Sequence, residues 1–333
     1  MRYGFAVDAF WPLQEVVKLI RIGEDLGYDN VWLPDQTFYA DPFPLLAVAG
    51  CRTERIRLGI GVTNPYTRSI PQVARTIGTV AQLVGRPVAL GIGAGNRREL
   101  LAPLGLTQTA PVERCREMID LVRRLLEGER VTYESGSVTL RDVRLLFEPS
   151  HPVPIYLASR GQRMLRLGGE LADGVIIGDL VSSAGLDYAL REIAIGAHEA
   201  GRREGQVDLV AWVTCFITDG KRDHAEEYLR PWVAHHMAAS PPAVQSAIGV
   251  DDERIQAIRA AYAAGGPMAA GALVSSEDID KLAIVGSPDQ CAVTVRRLVE
   301  RKIGQLVILL YSQDLAENES TLRRFASEVI PQV

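Results

Sequence analysis

Short apolar stretches alternate with longer amphipathic stretches along most of the chain. In the apolar stretches the hydrophobic residues recur at every second position, as Leu58, Ile60 and Val62 do. In the stretches that follow them, such as Leu13–Gly27, apolar residues recur every three or four positions. The first spacing is typical of β-strands and the second of amphipathic α-helices. Eight such strands, each followed by a helix or, after strand seven, by a longer and mostly helical stretch, predict an α/β fold. This fold is a (β/α)₈ TIM barrel rather than an open doubly wound sheet.

The predicted elements follow one another regularly. The predicted strands are YGFAVDA, NVWLPD, RIRLGIGVTNP, PVALGIGAG, VPIYLAS, GVIIG, VDLVAWVTCFIT and GQLVILLYS. The predicted helices are Leu13–Gly27, Phe43–Cys51, Pro71–Val84, Pro111–Leu126, Gln162–Leu171, Ala184–Gly201 and Ser320–Val329.

Two stretches depart from this repeat. Residues 128–147 follow strand four, and Val131–Leu146 within them has the pattern of a β-hairpin. Residues 219–283 lie between strands seven and eight, and Arg222–Lys281 within them is mostly helical. We expect both stretches to be insertions in a single domain that spans residues 1–333.

The composition indicates a globular protein with a large core. The 333 residues are 47% hydrophobic and carry a formal net charge of −5. No basic tract predicts nucleic-acid binding, and no apolar run is long enough for a membrane span or a signal peptide. The four cysteines are scattered without metal-ligand spacing, which is typical of reduced cysteines in the cytoplasm. We therefore expect a cytoplasmic protein with no metal site that acts on a small molecule.

Polar residues stand at several strand ends, and the carboxyl ends of the strands hold the active site of a TIM barrel. These segments are Asp8–Trp11, Pro34–Phe38, Gly61–Arg68, Gly93–Glu99, Ala158–Gln162 and Gly178–Asp179. Asp35, which ends strand two, can serve the site or cap the next helix, and we favour the site.

Glycines recur at every second position on two neighbouring strands. Gly59 and Gly61 lie on one side of strand three, and Gly91, Gly93 and Gly95 on one side of strand four. Such spacing leaves a strip without side chains. Two interpretations are open: the strips form a wall for a flat ring, or a narrow barrel interior requires small residues there.

Strand five runs directly into a helix, and this junction has features of a phosphate site. Ser159 is placed to cap the helix, Gly161 keeps the backbone accessible, and Arg160 and Arg163 add positive charge. Backbone N–H groups at a helix start attract anions. An ordinary capped helix would show the same serine.

Several motifs together resemble a known family. They are GVTNPYTR, LGIGAG, PIYLASRGQRMLRLGGELADGV and ASPPAV, and the resemblance covers nearly the whole chain. The chain resembles the luciferase-like superfamily of flavin and deazaflavin enzymes, and within it the coenzyme F420-dependent methylenetetrahydromethanopterin reductases. This resemblance implies an F420-dependent oxidoreductase that transfers a hydride between the deazaflavin and an organic acceptor, as a homodimer or a dimer of dimers.

The resemblance also implies which residues form the site. A non-prolyl cis peptide is expected at Gly61–Val62 or an immediate neighbour, behind the deazaflavin ring. The segment 158–162 would receive the cofactor phosphate, and Asp35 would lie near the ring edge. The implied cofactor-binding residues are Asp35, Gly61, Val62, Thr63, Asn64, Gly95, Asn96, Ala158, Ser159, Arg160, Gly161 and Gln162. Catalytic roles are expected for Asp35 and Asn96.

Three positions depart from the reductase pattern. Asn96 stands where the reductases carry an acid, and an amide does not exchange protons as a carboxylate does. Ala6 replaces an acid of strand one, although Asp8 lies two residues on and faces the same side. Gln36 stands where relatives often have histidine. Two alternatives therefore stay open beside an altered reductase: an FMN-dependent monooxygenase of the same superfamily, and a barrel that binds a cofactor without catalysis.

Overall fold

Parallel strands close into a ring in this computed structural model, which describes residues 1–219, 222–310, 312 and 314–333. The strands of the described part are β1 (Arg2–Ala6), β2 (Asn30–Leu33), β3 (Arg57–Thr63), β4 (Val88–Ile92), β5 (Val131–Glu134), β6 (Thr139–Val143), β7 (Ile155–Ser159), β8 (Gly174–Gly178), β9 (Asp208–Ile217), β10 (Ile284–Gly286) and β11 (Gln305–Leu309).

The ring confirms the predicted TIM barrel. Its eight strands run in the order β1, β2, β3, β4, β7, β8, β9 and β11, and β11 pairs with β1 to close it. Strands β5 and β6 form a separate antiparallel pair, which is the predicted hairpin after strand four. Strand β10 was not predicted and pairs with the end of β9. The predicted eighth strand included Tyr311, which lies outside the described residues.

Helices surround the barrel. They are α1 (Leu13–Asp25), α2 (Pro42–Gly50), α3 (Ile70–Val84), α4 (Pro111–Leu126), α5 (Gln162–Leu171), α6 (Ser183–Glu199), α7 (Arg222–Ala239), α8 (Pro242–Ala247), α9 (Asp252–Gly271), α10 (Ser276–Leu282), α11 (Pro288–Glu300) and α12 (Leu315–Arg324). Helices α7 to α10 form the predicted helical insertion between strands seven and eight. None of the described helices is long and apolar enough to cross a membrane.

Two helices differ from the predictions, and a capping side chain marks where each of them begins. Helix α11 was missed, although Ser287 and Gln290 form a reciprocal capping box at its start. Helix α12 begins before the predicted Ser320, because the Asp314 side chain accepts a hydrogen bond from the Ala316 N–H and starts the helix there. The single-domain assignment and the limits of about 128–147 and 219–283 for the insertions stay predictions, and residues 220 and 221 lie outside the described part.

Residues on each barrel strand alternate between the helices and the barrel interior. On β1, for example, Phe5 packs in the layer between strands and helices, whereas Ala6 belongs to the interior cluster. The interior cluster consists of Ala6, Trp32, Tyr156, Ile176, Val210 and Val307, with Trp212 packed against it. The Trp32 indole N–H donates to Gln305 Oε1 at 3.0 Å, so its one polar atom is satisfied in the interior.

The glycines of β3 and β4 make room for this interior cluster. A Cβ at Gly59 would lie 2.5 Å from the Trp32 ring, and a Cβ at Gly61 would lie 2.9 Å from the Trp212 ring. On β4, a Cβ at Gly91 would lie 2.7 Å from the Val62 side chain. Small residues are therefore required at Gly59, Gly61 and Gly91, as the interpretation of a narrow interior expects. Gly61, Gly93 and Gly95 also line the cavity at the strand ends, so a wall for a flat ring stays a prediction.

Glycine also sets the distance between α5 and α6. A Cβ at Gly196 would overlap the carbonyl oxygen of Arg166, and one at Gly169 would overlap the carbonyl oxygen of Ile193. These obstacles are backbone atoms, which cannot move without separating the helices.

We expect Gly196→Ala to lower the free energy of unfolding by about 1–3 kcal/mol, because the added methyl group must push α5 and α6 apart. Denaturant-induced unfolding measures the change. Gly136→Ala is the matched control, since a Cβ at Gly136 has no atom within 4 Å. Equal stability of the two variants would contradict this account of the helix contact.

Candidate active site

A cavity of about 640 Å³ opens at the carboxyl ends of the barrel strands. Its residues come from the strand ends and from the helical insertion. The strand-end residues include Asp8, Asp35, Gly61, Val62, Thr63, Asn64, Gly95, Asn96, Ala158, Ser159, Arg160 and Asp179. The insertion contributes Trp232, His235, His236, Tyr262 and Pro267. Most residues that the sequence predicted for the site are thus brought to one cavity.

Strand β3 bulges where it reaches the cavity. Ile60 pairs with Leu90 and Thr63 with Ile92, so β3 has one residue more than β4 between these pairs. The peptide bond between Gly61 and Val62 is cis. It lies at the position that the family resemblance implied, and Val62 contributes a side chain to the cavity there.

Asp35 is held tightly at the end of β2. Arg68 binds both of its carboxylate oxygens, with Nε 2.7 Å from Oδ2 and Nη2 2.8 Å from Oδ1. The Thr63 hydroxyl donates to Oδ2 at 2.7 Å. The ion pair with Asp35 raises the pKa of Arg68, so the arginine keeps its charge. These contacts hold the Asp35 carboxylate and the Thr63 hydroxyl in fixed positions, which suits a positioning role.

Asn64 and Asn96 both use their side chains to hold nearby backbone. Asn64 Oδ1 accepts from the N–H groups of Tyr66 and Thr67, which closes a turn after β3. Asn96 Oδ1 accepts from the N–H groups of Arg98 and Glu99 and caps the short π-helix Arg97–Leu101.

Gly95, the residue before Asn96, has a φ of 74°, a conformation that favours glycine. The Asn96 Nδ2 donates to Glu99 Oε2 at 2.8 Å. The amide therefore links the end of β4 to a carboxylate one helical turn further on.

The junction between β7 and α5 differs from the prediction in one detail. Gly161, not Ser159, is the residue that precedes the first turn of α5, and no side chain caps that turn. The Ser159 hydroxyl accepts from the Gly161 N–H at 2.9 Å instead. Ala158, Ser159 and Arg160 line the cavity. Gly161 and Gln162 lie at the helix start beside them.

A group of buried charges stands behind this junction. Arg160 Nη1 and Asp179 Oδ1 are buried, and neither has a hydrogen-bond partner among the described residues. His236 Nε2 lies 3.3 Å from Asp179 Oδ2. Burial raises the pKa of Asp179 to about 7, although the nearby Arg160 charge opposes this rise. Burial also lowers the pKa of His236 well below its ordinary value.

Asp8 is a second acid at the cavity with a raised pKa. It lies beyond the end of β1, and burial raises its pKa to about 6. Its Oδ1 atom is buried and has no partner in the described part of the chain. Asp8 can therefore carry a proton near neutral pH, and an acid is present at this end of the barrel despite Ala6.

The sequence prediction missed the contributions of the insertion. No role was predicted for His235 or His236, yet both line the cavity, with ring centroids 5.3 Å apart. Their run with Trp232 in an amphipathic helix was the available signal, but periodicity does not show which part of the barrel the helix covers. Among the described residues, no group of three histidine, cysteine or acidic side chains could hold a metal.

Comparison with known proteins agrees with this architecture. The family described as luciferase-like monooxygenase matches residues 6–304. A 5,10-methylenetetrahydromethanopterin reductase of Methanolobus tindarius is 32% identical over 308 residues, or 92% of this chain and 93% of that one. An F420-dependent glucose-6-phosphate dehydrogenase of Nakamurella multipartita is 32% identical over 268 residues, or 76% of each chain. The solved coenzyme F420-dependent tetrahydromethanopterin reductase from Methanopyrus kandleri superposes with a TM-score of 0.85 at 27% identity, covering 99% of this chain and 98% of that one.

We expect Asp179→Asn to raise the free energy of unfolding at pH 8 by about 1–3 kcal/mol, and by less at pH 5. The folded-state pKa of about 7 lies above the ordinary 3.8. The folded protein therefore binds the extra proton, and stability falls as the pH rises through 7. Thermal unfolding at both pH values measures the difference. The exposed Asp187→Asn is the control, and an equal effect of Asp179→Asn at both pH values would contradict the prediction.

Proposed function

Because the chain belongs to the luciferase-like monooxygenase family, we propose that it is a coenzyme F420-dependent oxidoreductase. It transfers a hydride between the deazaflavin and an organic acceptor. The relatives that it matches over most of its length are F420-dependent reductases and dehydrogenases. One is named for methylenetetrahydromethanopterin and another for glucose-6-phosphate, so their substrates differ.

One observation carries the proposal: two features that suit a flat ring with a phosphate tail lie at the same cavity. The first is the β3 bulge, which places Val62 and Thr63 against the cavity. The second is the uncapped start of α5 beside the buried, unpartnered Nη1 of Arg160. A guanidinium whose Nη1 has no partner among the described residues, next to backbone N–H groups, is a suitable partner for phosphate. The residues present therefore fit coenzyme F420.

The residues of the chain would share the work of binding and alignment. Val62 and Thr63 would support the ring, and Asp35 would keep Thr63 in place through its hydrogen bond. Segment 158–162 would hold the phosphate. When bound, the deazaflavin would supply or accept the hydride. Apolar side chains such as Trp212 and Trp232 line the cavity and would keep water from the reacting atoms.

The side chains around the hydride acceptor differ from the reductase pattern. Asn96 caps a helix where an acid would exchange protons, whereas Asp8 carries a carboxylate in the same cavity. We propose that the enzyme reduces or oxidises a compound other than methylenetetrahydromethanopterin. We further propose a cytoplasmic location, a single domain, and a homodimer or dimer of dimers, all of which stay predictions.

Cofactor titration tests the proposal directly. We expect the purified protein to bind F420 with micromolar or tighter affinity and to bind FMN more weakly. The change in fluorescence of each cofactor on titration with protein measures its affinity. Tight FMN binding with oxygen consumption would instead support the monooxygenase alternative. Binding of F420 without hydride transfer to any of a panel of imines, enones, ketones and pterins would support a non-catalytic barrel.

Arg160→Gln is expected to weaken F420 binding by about 10- to 100-fold, because a charge-assisted hydrogen bond to phosphate is lost. Arg163→Gln makes the same charge change on the exposed side of α5 and should alter the affinity by less than about threefold. The side chain of Arg163 is 74% exposed, which makes it a matched control. Similar affinities of the two variants would argue against a phosphate contact at Arg160.

Asn96→Asp tests whether the missing acid accounts for an altered substrate. Aspartate is also a good helix cap, so we expect the variant to fold. A rise of about tenfold or more in turnover of methylenetetrahydropterins, measured with reduced F420, would identify the chain as an altered reductase. We expect no such rise, because the new carboxylate would face Glu99 and because the insertion also shapes the acceptor side.

A further inference from the structure

A connected set of polar side chains lies where the helical insertion meets the end of β4. Asn96 Nδ2 donates to Glu99 Oε2 at 2.8 Å, and Glu99 Oε1 lies 3.4 Å from His235 Nδ1. The same Nδ1 lies 2.9 Å from the Tyr262 hydroxyl. All four residues line the cavity. The function proposed so far assigns no role to Glu99, His235 or Tyr262.

The surroundings of His235 favour one arrangement of its protons. The Glu99 carboxylate can only accept a hydrogen bond when it is ionised, and the Tyr262 hydroxyl can also accept. Both groups face Nδ1, so a proton on Nδ1 is favoured. Nε2 has no partner among the described residues, and it is then the nitrogen that exchanges a proton. The ring is held in place, since its side chain is only 17% exposed.

Burial and the charges around His235 determine the pKa of its imidazole. Burial lowers the pKa of His235, and the Glu99 carboxylate opposes this effect. Two cations, Arg160 at the end of β7 and Arg98 in the π-helix, lower it further. The other titratable groups that face the ring are Tyr262 on α9 and His236 on α7. The neutral imidazole, which is a base at Nε2, is therefore the main form near neutral pH.

We propose that His235 is the catalytic residue that exchanges a proton with the hydride acceptor, and that Glu99, held by Asn96, positions it. This inference rests on the proposed function. It also assigns a role to Asn96, because its side-chain amide holds the Glu99 carboxylate in place. Tyr262 is a second positioning residue.

The proton transfer balances the hydride transfer. In the reducing direction, the acceptor carbon gains a hydride from the reduced cofactor and its double bond to a heteroatom opens. The heteroatom takes the proton from Nε2 of the imidazolium, which is the minor form near neutral pH and therefore a good proton donor. The neutral ring then takes up a proton from solvent. In the oxidising direction, neutral Nε2 takes the proton from a hydroxyl or amine, and the substrate carbon would give its hydride to the oxidised cofactor. The substrate class is thus a carbonyl or imine compound, or the corresponding alcohol or amine.

The first experiment needs no substrate. Nitrogen-15 NMR of labelled protein follows the titration of each of the five histidines. We expect Glu99→Gln to lower the pKa of His235, because the imidazolium loses its neighbouring carboxylate. An unchanged titration of His235 in this variant would overturn the role of Glu99.

The second experiment measures turnover with the panel of carbonyl compounds, imines and secondary alcohols. We expect His235→Asn to lower turnover by about 10²- to 10⁴-fold. His224→Asn, a change on the same helix away from the cavity, should leave it unchanged. In Glu99→Gln, the pH at which oxidation activity rises should move to lower values, as the NMR titration does.

Binding of F420 separates the two possible failures. If wild-type protein does not bind F420, the proposed function fails. If every variant binds F420 within about threefold of wild type and His235→Asn retains full turnover across pH, this inference alone fails.

Discussion

Close packing of two tryptophans against glycine backbone is the constraint on which the rest of the structure depends. Trp32 and Trp212 fill the barrel interior, and a Cβ at Gly59 or Gly61 would collide with their rings. Because protein interiors are packed to crystal-like density, the two rings cannot shift to make room for an added Cβ atom. The interior is therefore closed below the bulge. The cavity begins where β3 leaves its regular register, and its floor is built from protein side chains.

Above this floor, the two halves of the cavity are built in different ways. One half is held by residues of the barrel itself: the carboxylate of Asp35 joins Arg68 to Thr63, and the start of α5 stands beside Arg160. The other half is contributed by α7 and α9, which bring histidine and tyrosine side chains over the strand ends. Binding of a common cofactor and choice of a particular acceptor can therefore change independently.

Other side chains of the cavity stand near the positions where the chain departs from the reductase pattern. Replacing an acid with Asn96 removes a proton donor from the strand end, but the amide now holds Glu99 next to His235. Asp8 keeps a carboxylate at the cavity, although β1 carries Ala6 where the reductases have an acid. The cavity therefore keeps side chains that can exchange protons, but they stand at other positions than in the reductase pattern.

The sequence by itself determined the barrel, because strand and helix periodicities are local properties and eight alternations allow few closed arrangements. Chain order also located the residues at the strand ends, because it places those ends at one face of the barrel. The family resemblance of the motifs implied the cis peptide at Gly61–Val62. Only the tertiary structure decided that Trp32 and Trp212 fill the space beside Gly59 and Gly61, and that His235 meets Glu99. The contacts of Gly61 with Trp212 and of Glu99 with His235 join residues more than a hundred positions apart. Their geometry depends on how helices and strands pack, which periodicity along the chain does not encode.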